Sequence, residues 1–362
     1  MVQDVFIIGA TGRVGCALVD QIIKKGDLDP NIHSNPTRIV GLASSSHVVH
    51  SSNGLNEQQA HKFLNKEVSG GKNYSDLAEI LELVNGSDNV VFVDVTSLNE
   101  PMTDFHIKVI SDSRHSIVTA NKNPVALSGY SAFKLLTRET NRYGYRCSVM
   151  AGADSVPFLR DLRDLNDNLH SFEGCLSGSL GYITSELEKG RKFSEIVREA
   201  NSKGYTETHP RDDLGGLDVA RKLIVLARAA GFPIGIEDVK IEPFIPQEYL
   251  SIGDVNAFLD DMKEIDTAFK ARMENAEKKN CTLRYVAEME AKDSVMKVSL
   301  KDVPKQSLLG KLRGTMNMVI VSTEIYKEGC PIGPVPGAGL EVTARNIRRD
   351  LLYLLQERKS VF

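Results

Sequence analysis

Short apolar runs alternate with helical patterns along the first 150 residues of the chain. The runs predict buried strands and are DVFIIGA from Asp4, RIVGLAS from Arg38, NVVFVDVTS from Asn89, HSIVTANK from His115 and YRCSVMA from Tyr145. Apolar residues at helical spacing predict a helix from Val14 to Lys24 and another in SDLAEILELV from Ser75. This alternation is typical of βαβ units, which build a parallel sheet with helices on both faces. The polar stretch 45–74 interrupts it, and we expect an insertion there.

The pattern changes after Asp154. SFEGCLSGS predicts a strand, two helical patterns follow up to Gly204, and a long helix is expected to begin near Leu217. KIEPFIP and a charged helix near 253–279 precede TLRYVAEMEAKDSVMKVSL, whose alternation predicts a hairpin of half-buried antiparallel strands. The last stretch, GAGLEVTARNIRRDLLYLLQE, predicts an amphipathic helix that returns to the first domain.

A chain of 362 residues fits about two domains of ~100 to 200 residues each. We place the first domain at residues 1–150, with the C-terminal helix 338–357 returning to it, and a second α+β domain at residues 151–335. A glycine-rich turn, DVFIIGATGRVG, lies between the first strand and the first helix. Together with the alternation, this turn predicts an α/β first domain with a Rossmann-like, doubly wound parallel sheet.

The glycine-rich turn indicates a dinucleotide-binding domain. Gly9, Gly12 and Gly15 let the backbone approach a pyrophosphate, and the helix N-terminus can bind it. The spacing is GxxGxxG rather than GxGxxG, so this motif alone leaves a flavin or a nucleotide sugar open beside NAD(P).

The end of the second strand bears on which nicotinamide dinucleotide is bound. LASSSHVVH has no acid to bind the ribose 2′-OH of NAD and no arginine or lysine to bind the 2′-phosphate of NADP. Because no acid repels a 2′-phosphate, the sequence slightly favours NADP over NAD. The candidate cofactor-binding residues are Gly9, Ala10, Thr11, Gly12, Arg13, Val14, Ser44, Thr96, Ser97, Asn121, Lys122, Gly337 and Gly339. A lysine at a strand end, such as Lys122, can equally be a solvated side chain.

Composition excludes several classes of protein. The net charge of −4 offers no basic surface for nucleic acid, and no segment reaches the ~18 to 20 continuous apolar residues of a membrane span. No cationic and apolar leader precedes the first strand, so we expect a cytoplasmic protein. The five cysteines, at 16, 147, 175, 281 and 330, form no CxxC pair, and we expect buried thiols rather than a zinc site.

The stretch GYTETHPRDDLGGLDVARKL, from Gly204 to Leu223, concentrates ionisable groups where a loop becomes an apolar helix. Asp218 falls in the first helical turn, and Lys222, four residues on, shares its face. The structural interpretation is an exposed ion pair that stabilises the helix by only ~0.3 to 0.5 kcal/mol. The functional interpretation depends on the rest of the chain.

The motifs TANK, LSGSLGYI, GYTETHPRDDLGGLDVARKL, IEPFIP and PGAGLEVTA follow one another as in the homoserine dehydrogenases. Over nearly its whole length the chain resembles the dehydrogenase half of the bifunctional aspartokinase/homoserine dehydrogenases. The resemblance implies NAD(P)-dependent interconversion of L-aspartate 4-semialdehyde and L-homoserine, on the pathway to threonine, methionine and isoleucine. It also implies that the second domain binds the substrate and joins a homodimer through its sheet.

The resemblance assigns roles to charged residues. It implies that Lys222 and Lys122 lie near the reacting oxygen and that Asp218 holds the lysine and the substrate hydroxyl. It also implies that Tyr205, Glu207 and Asp213 bind the substrate ammonium. Ser179 is implied to contact the substrate near its carboxylate. These roles agree with the chemistry. Aldehyde reduction leaves negative charge on oxygen and needs a proton donor or a cation there, and an ammonium in a partly dry site needs carboxylates.

The resemblance further implies a monovalent cation, held by carbonyl groups and by an acid that precedes VGAGLP in the family. In YRCSVMAGADSVP, Arg146 stands where the acid is expected, and the carbonyls of Val149, Ala151 and Ala153 are the remaining candidate ligands. A guanidinium repels a cation, so we expect the metal site to be weak or lost and the hinge between the domains to be altered. Alternatively, Arg146 pairs with a surface acid and leaves the carbonyls free.

Two other hypotheses stay open. One is a homologous oxidoreductase whose substrate has drifted with the 146–157 segment, and the other is a non-catalytic binding or regulatory relative. The retained charged candidates argue against the second, because a dead site has no physical need for them. Only five residues follow Glu357, so we expect no feedback control through an appended amino-acid-binding domain.

Overall fold

The computed structural model describes residues 2–33, 36–67, 71–293 and 295–359. The chain divides into two compact units, Met1–Gly152 with Gly339–Phe362, and Ala153–Ala338.

A seven-stranded sheet forms the centre of the first unit. Its strands are β1 (Gln3–Ile8), β2 (Thr37–Ala43), β3 (His47–His50), β4 (Lys72–Asn73), β5 (Val90–Asp94), β6 (Ser116–Thr119) and β7 (Tyr143–Gly144). The order across the sheet is β4-β3-β2-β1-β5-β6-β7. The strands from β2 to β7 in this order run parallel, and β3 and β4 add an antiparallel edge. The predicted doubly wound sheet is therefore confirmed, and its carboxyl ends form one edge where ligands bind in such folds.

Seven helices belong to the first unit among its described residues. They are α1 (Arg13–Lys24), α2 (Glu57–Leu64), α3 (Leu77–Leu83), α4 (Glu100–Asp112), α5 (Asn123–Ala126), α6 (Tyr130–Thr137) and, at the end of the chain, α15 (Leu340–Lys359). α1 packs against α15, and Gln21 Nε2 donates hydrogen bonds to the carbonyl and the carboxylate of Glu341. The apolar faces of both helices join strand residues such as Val5 and Val93 in one core.

The expected insertion at 45–74 contains α2 and the strands β3 and β4, which extend the edge of the sheet. One expectation about the first unit is wrong. YRCSVMA is not a strand: it forms two 3₁₀ turns, Arg146–Ser148 and Met150–Gly152. Met150 and Ala151 have φ of 51° and 50°, a left-handed conformation that ends any extended strand.

A six-stranded sheet forms the second unit. Its strands are β8 (Leu169–Cys175), β9 (Val239–Ile241), β10 (Cys281–Glu290), β11 (Val295–Pro304), β12 (Met316–Thr323) and β13 (Cys330–Pro336). The order is β13-β12-β8-β10-β11-β9, and only the β9–β11 pair is parallel. The predicted antiparallel sheet and its β10–β11 hairpin are confirmed.

The helices of the second unit are α7 (Ser155–Asp164), α8 (Gly178–Leu187), α9 (Phe193–Ser202), α10 (Arg211–Leu214), α11 (Leu217–Ala229), α12 (Gln247–Leu250), α13 (Val255–Asp261) and α14 (Asp266–Lys278). The predicted helix over 253–279 is interrupted by a 3₁₀ turn at Met262–Ile265. α11 begins at Leu217 as predicted, after Gly216 with φ of 79°. A Cβ at Gly216 would lie 2.0 Å from the Tyr285 hydroxyl, so glycine is required at this turn.

The burial of the cysteines differs from the expectation. All five cysteines are free thiols, but only Cys147 and Cys175 are buried, and Cys16, Cys281 and Cys330 are half-exposed. The expectation of five buried thiols is therefore wrong for three of them.

Among the described residues, no helix combines the length and the apolar character that crossing a bilayer requires.

Candidate active site

The glycine-rich turn lies at the carboxyl end of β1. Gly9 has φ of 87°, and the N–H groups of Gly9 and Ala10 both donate to the carbonyl of Ala43, each at 2.9 Å. A Cβ at Gly15 would lie 2.5 Å from the Gly9 carbonyl oxygen, so α1 approaches the turn as closely as glycine allows. Because Gly9 and Ala10 use their N–H groups within the fold, the first turn of α1, at Arg13 and Val14, provides the donors for an anion.

The loops after β5 and β6 are joined to the glycine turn. A Cβ at Gly9 would lie 3.1 Å from Thr96 Cγ2, so the loop after β5 packs on the turn. Asn121 Nδ2 donates to the carbonyl of Leu98 at 2.7 Å, and Asn123 Nδ2 donates to that of Ser97 at 2.9 Å. The structure therefore brings the predicted residues of three loops to one edge of the sheet. Thr96 and Asn121 use their polar side chains to build that edge.

A cavity of about 580 Å³ lies on the same side of the sheet. Its described lining includes Ser45 after β2, Tyr74, Leu98 after β5, and Pro101 and Lys108 on α4. The Tyr74 hydroxyl donates to the carbonyl of Ser44, which fixes one wall. A planar ring can enter a cavity of this size and mixed lining. Lys122 is half-buried where the loop after β6 turns into α5.

In the second unit, four predicted substrate residues converge. The Ser179 hydroxyl lies 2.7 Å from Asp213 Oδ1 and 2.7 Å from the carbonyl of Tyr205. The N–H of Glu207 donates to Asp213 Oδ2 at 2.8 Å. Burial raises the pKa of Asp213 to about 6, although these hydrogen bonds oppose the rise. Asp213 is therefore a half-buried carboxylate that a cation would stabilise.

The side chains of Tyr205 and Glu207 are exposed, and Tyr205 is held edge-on against Tyr182 with ring centroids 4.9 Å apart. The side-chain amide of Asn201 donates to the carbonyl of Glu207 at 3.4 Å and to Thr206 Oγ1 at 3.1 Å. The loop after α9 is thus fixed from behind, while the two side chains stay accessible to a ligand.

Asp218 and Lys222 form the predicted ion pair. Lys222 Nζ lies 2.7 Å from Asp218 Oδ2 and donates to the carbonyl of Leu176 at 2.8 Å. Only 13% of the Lys222 side chain is exposed, so this is not the solvated pair of the structural interpretation. The negative charge of Asp218 also acts on Asp213. A half-buried ammonium and two carboxylates therefore share one region of the second unit.

Two glycines predicted to bind the cofactor, Gly337 and Gly339, lie shortly before α15. Gly337 is buried, its N–H donates to the carbonyl of Thr315 at 3.1 Å, and a Cβ there would lie 2.3 Å from Asn317 Cγ. Gly339 is exposed and precedes α15 with φ of 148°. Both positions therefore exclude a side chain, Gly337 because of the close approach and Gly339 because of its backbone conformation.

Two of the three carbonyls expected to hold a cation accept hydrogen bonds within the fold. Arg146 is buried and forms an ion pair with the buried Asp350 of α15, Nε to Oδ1 at 2.8 Å, and its N–H donates to Oδ2 of the same carboxylate. The carbonyl of Val149 accepts from the N–H of Gly152, and that of Ala151 accepts from Asn346 Nδ2 at 2.8 Å. The partner of Arg146 is not the surface acid of the alternative expectation. No cluster of acidic, histidine or cysteine ligands exists among the described residues.

The sequence of this chain is similar to that of known proteins. The family model described as "Homoserine dehydrogenase" matches residues 157–352. A homoserine dehydrogenase from Paracoccidioides brasiliensis is 31% identical over 300 residues, which cover 80% of each chain. The chain belongs to the homoserine dehydrogenase family. The bifunctional aspartokinase/homoserine dehydrogenase of Daucus carota is 31% identical over 95% of this chain, and the match spans only 37% of that longer protein.

Solved structures resemble this homoserine dehydrogenase family member along its length. A protein of unknown function from Candida auris has a TM-score of 0.86 and 29% identity, covering 98% of both chains. A hyperthermophilic archaeal homoserine dehydrogenase in complex with NADPH has a TM-score of 0.72 and 20% identity, covering 99% of this chain and 98% of the other. The second likeness shows the shared fold alone.

Sequence reasoning missed contributing residues in each unit. The Leu176 carbonyl holds Lys222, and no sequence pattern indicates which backbone oxygen a lysine will meet. Asp94, at the end of β5, accepts from the N–H of Thr96 at 2.9 Å. An acid that closes the apolar run VVFVD was the available signal for this residue.

Proposed function

We propose that this homoserine dehydrogenase family member catalyses the NAD(P)-dependent interconversion of L-homoserine and L-aspartate 4-semialdehyde. The observation that carries the proposal is the half-buried Lys222, held by Asp218 and the Leu176 carbonyl beside the acidic Asp213. The Met1–Gly152 and Gly339–Phe362 unit would bind the dinucleotide. The Ala153–Ala338 unit would bind the substrate and join a dimer.

The acidic residues suit an α-amino acid. Its ammonium would sit on the carboxylate of Asp213 and the exposed Glu207, and desolvation strengthens such charge-assisted hydrogen bonds. The Ser179 hydroxyl, already 2.7 Å from Asp213 Oδ1, would lie beside the bound amino acid near its carboxylate. Tyr205 would cover the ammonium from the solvent side, since its exposed ring is steadied by Tyr182.

The lysines suit the reacting oxygen. As an aldehyde becomes an alcohol, negative charge develops on oxygen, and an ammonium at hydrogen-bond distance stabilises that charge. Lys222 would provide it, and Asp218 would hold both the lysine and the substrate hydroxyl. Lys122, in the loop after β6, would contribute a second positive charge near that oxygen. In the oxidative direction the same lysine–aspartate pair would receive the hydroxyl proton.

The first unit fits a nicotinamide dinucleotide. The close approach of Gly15 to the Gly9 carbonyl and the absence of an acid in the first turn of α1 suit a pyrophosphate at Arg13 and Val14. When bound, the nicotinamide supplies or accepts a hydride. NADP is slightly favoured over NAD because the loop after β2 offers the hydroxyls of Ser44–Ser46 and no carboxylate.

Initial rates of nicotinamide reduction test the proposal, with L-homoserine as substrate and NADP⁺ and NAD⁺ in parallel. Turnover with L-homoserine, faster with NADP⁺, is the expected result. Turnover of another amino alcohol but not of L-homoserine would favour an oxidoreductase with a drifted substrate. Binding of dinucleotide and homoserine without turnover would favour a non-catalytic relative.

We also propose a homodimer formed through the six-stranded sheet. Lys297, Glu288, Glu173 and Ile320 pair across β11, β10, β8 and β12, and all four are at least partly exposed. The adjacent row, Val298, Ala287, Gly174 and Val319, is buried. Neighbouring rows point to opposite faces, so the face that carries Glu173 is open at this row. Val286, Cys175 and Met318, two residues further along on the same face, are buried.

Charge reversal within this exposed row should weaken the dimer. Glu173→Arg is expected to shift the mass measured by sedimentation toward the monomer, because a symmetric interface repeats each change on both subunits. Glu274→Arg, on the exposed side of α14, is the matched control and should leave the mass unchanged. A wild-type protein that sediments as a monomer at every concentration would contradict the proposal.

Activity should not depend on a particular monovalent cation. Asp350 neutralises Arg146, and Asn346 occupies the Ala151 carbonyl, so the fold holds this segment without an ion. Turnover at constant ionic strength with sodium, potassium or a bulky organic cation should give equal rates. A saturable gain of several-fold with one small cation would show instead that the carbonyls bind it.

A further inference from the structure

Three fully buried polar side chains lie behind the loop that follows β5. Asp94, His106 and Tyr143 are 1%, 0% and 1% exposed, and they come from β5, α4 and β7 of the first unit. His106 and Tyr143 lie outside the motifs of the sequence, and Asp94 closes the apolar run VVFVD. Burying a charge and two polar groups together costs free energy unless hydrogen bonds and ion pairs compensate for the lost water.

The three side chains form a continuous chain of contacts that ends in the loop. Tyr143 Oη lies 2.8 Å from His106 Nδ1, and His106 Nε2 lies 3.3 Å from Asp94 Oδ2. On the other side, Asp94 Oδ1 accepts from the N–H of Thr96 at 2.9 Å and from its hydroxyl at 2.8 Å. The Thr119 hydroxyl adds a donor to Oδ2 at 3.2 Å.

These contacts keep Asp94 ionised. Burial acts to raise the pKa of Asp94, but His106 and the donors of Thr96 outweigh burial and lower it. The Tyr143 hydroxyl contacts the other ring nitrogen, Nδ1, and so helps to fix the ring orientation in which Nε2 faces the carboxylate.

The loop that Asp94 holds is the one that packs on the glycine turn. The Thr96 methyl carbon lies 3.1 Å from the Cβ position of Gly9, and the Val95 carbonyl is equally close. Both donors of Thr96 point inward to Asp94, so the loop presents the exposed Ser97 and its backbone outward. The position of this surface is set before any ligand arrives.

We propose that Asp94, His106 and Tyr143 are positioning residues that hold the loop 95–98 against Gly9 in the conformation that binds the dinucleotide. The inference rests on the proposed function for its ligand. The three residues touch no ligand themselves. They raise affinity because a loop fixed in advance loses less conformational entropy on binding.

The test compares NADPH binding by the full chain, measured by fluorescence titration, in Asp94→Asn, Tyr143→Phe and Asp27→Asn. Asp27 is the matched control: it is a buried carboxylate of the same unit, 3.4 Å from His33 and paired with Arg348. Its neighbour Thr37 opens β2, so Asp27 lies at the sheet edge away from the glycine turn. Tyr143→Phe removes a single hydroxyl and keeps the comparison decisive if Asp94→Asn fails to fold.

We expect Asp94→Asn to weaken NADPH binding by about 10- to 100-fold and Tyr143→Phe by a smaller factor. Amide hydrogen exchange at residues 95–98 of the cofactor-free protein should accelerate in both. Asp27→Asn should lower Tm while leaving the Kd within about twofold. Unchanged Kd and unchanged exchange at 95–98 in the Asp94 and Tyr143 variants would overturn the inference. Because the readout is NADPH binding, a wild-type protein that binds NADPH but does not oxidise homoserine counts against the proposed function alone.

Discussion

Lys222→Ala should lower kcat for L-homoserine oxidation by ~10²- to 10⁴-fold, the usual range for a group that moves a proton at the reacting atom. The ammonium is half-buried and held by Asp218 and the Leu176 carbonyl, and the variant leaves no positive charge at this position. The measurement is steady-state kinetics at saturating homoserine, together with an NADPH titration. The Kd for NADPH should stay near the wild-type value, since the change removes no proposed cofactor contact.

Lys279→Ala is the matched control for Lys222. Lys279 also pairs with an aspartate of the second unit, Asp302 at 2.9 Å, but it lies at the end of α14 and is 65% exposed. Its loss should leave kcat unchanged. Near-normal turnover by Lys222→Ala would reject the proposed role and return the Asp218 pair to its structural interpretation.

Asp213→Asn should lower kcat/KM for L-homoserine by about 10²-fold. Removing one member of a charge pair that is desolvated on binding costs ~2 to 5 kcal/mol, and the lower end applies because Asp213 is only half-buried. The amide oxygen can still accept from the N–H of Glu207, and the amide NH2 can donate to the Ser179 hydroxyl, so the loop should keep its position. Kinetics with homoserine varied at saturating NADP⁺ measure the effect.

The pH profile provides the check on Asp213. Burial raises its pKa to about 6, so the carboxylate gains a proton as the pH falls through that value, and the substrate ammonium loses its partner. The wild-type kcat/KM should therefore decline below about pH 6, and Asp213→Asn should lack this inflection. Asp212→Asn, an exposed neighbour, should behave like the wild type. An inflection that survives in Asp213→Asn would assign it to another group.

Local patterns predicted much of the fold. The alternation of apolar runs and helical spacing identified β1, β2, β5, β6 and the hairpin of β10 and β11, because each signal lies within a few residues. The glycines before Leu217 located the start of α11 for the same reason. The ion pair of Asp218 and Lys222 followed from helical spacing alone.

Contacts between distant residues decided what the sequence could not predict. The run YRCSVMA has the composition of a strand, but Arg146 pairs with Asp350, 204 residues later, and the backbone turns at Met150 and Ala151. The chain from Tyr143 through His106 to Asp94 joins three elements. The periodicity of a short segment gives no information about contacts with distant residues. Such contacts can therefore override the strand or helix preference of the segment.

The most direct test of the central claim follows a hydrogen atom. Wild-type protein is incubated with L-aspartate 4-semialdehyde and NADPH that carries deuterium at the transferable position of nicotinamide C4, and the product is examined by mass spectrometry and NMR. The account predicts L-homoserine with one deuterium on its alcohol carbon, formed by the wild type and strongly reduced with Lys222→Ala. Recovery of unchanged semialdehyde, or of a product without deuterium on that carbon, would contradict it.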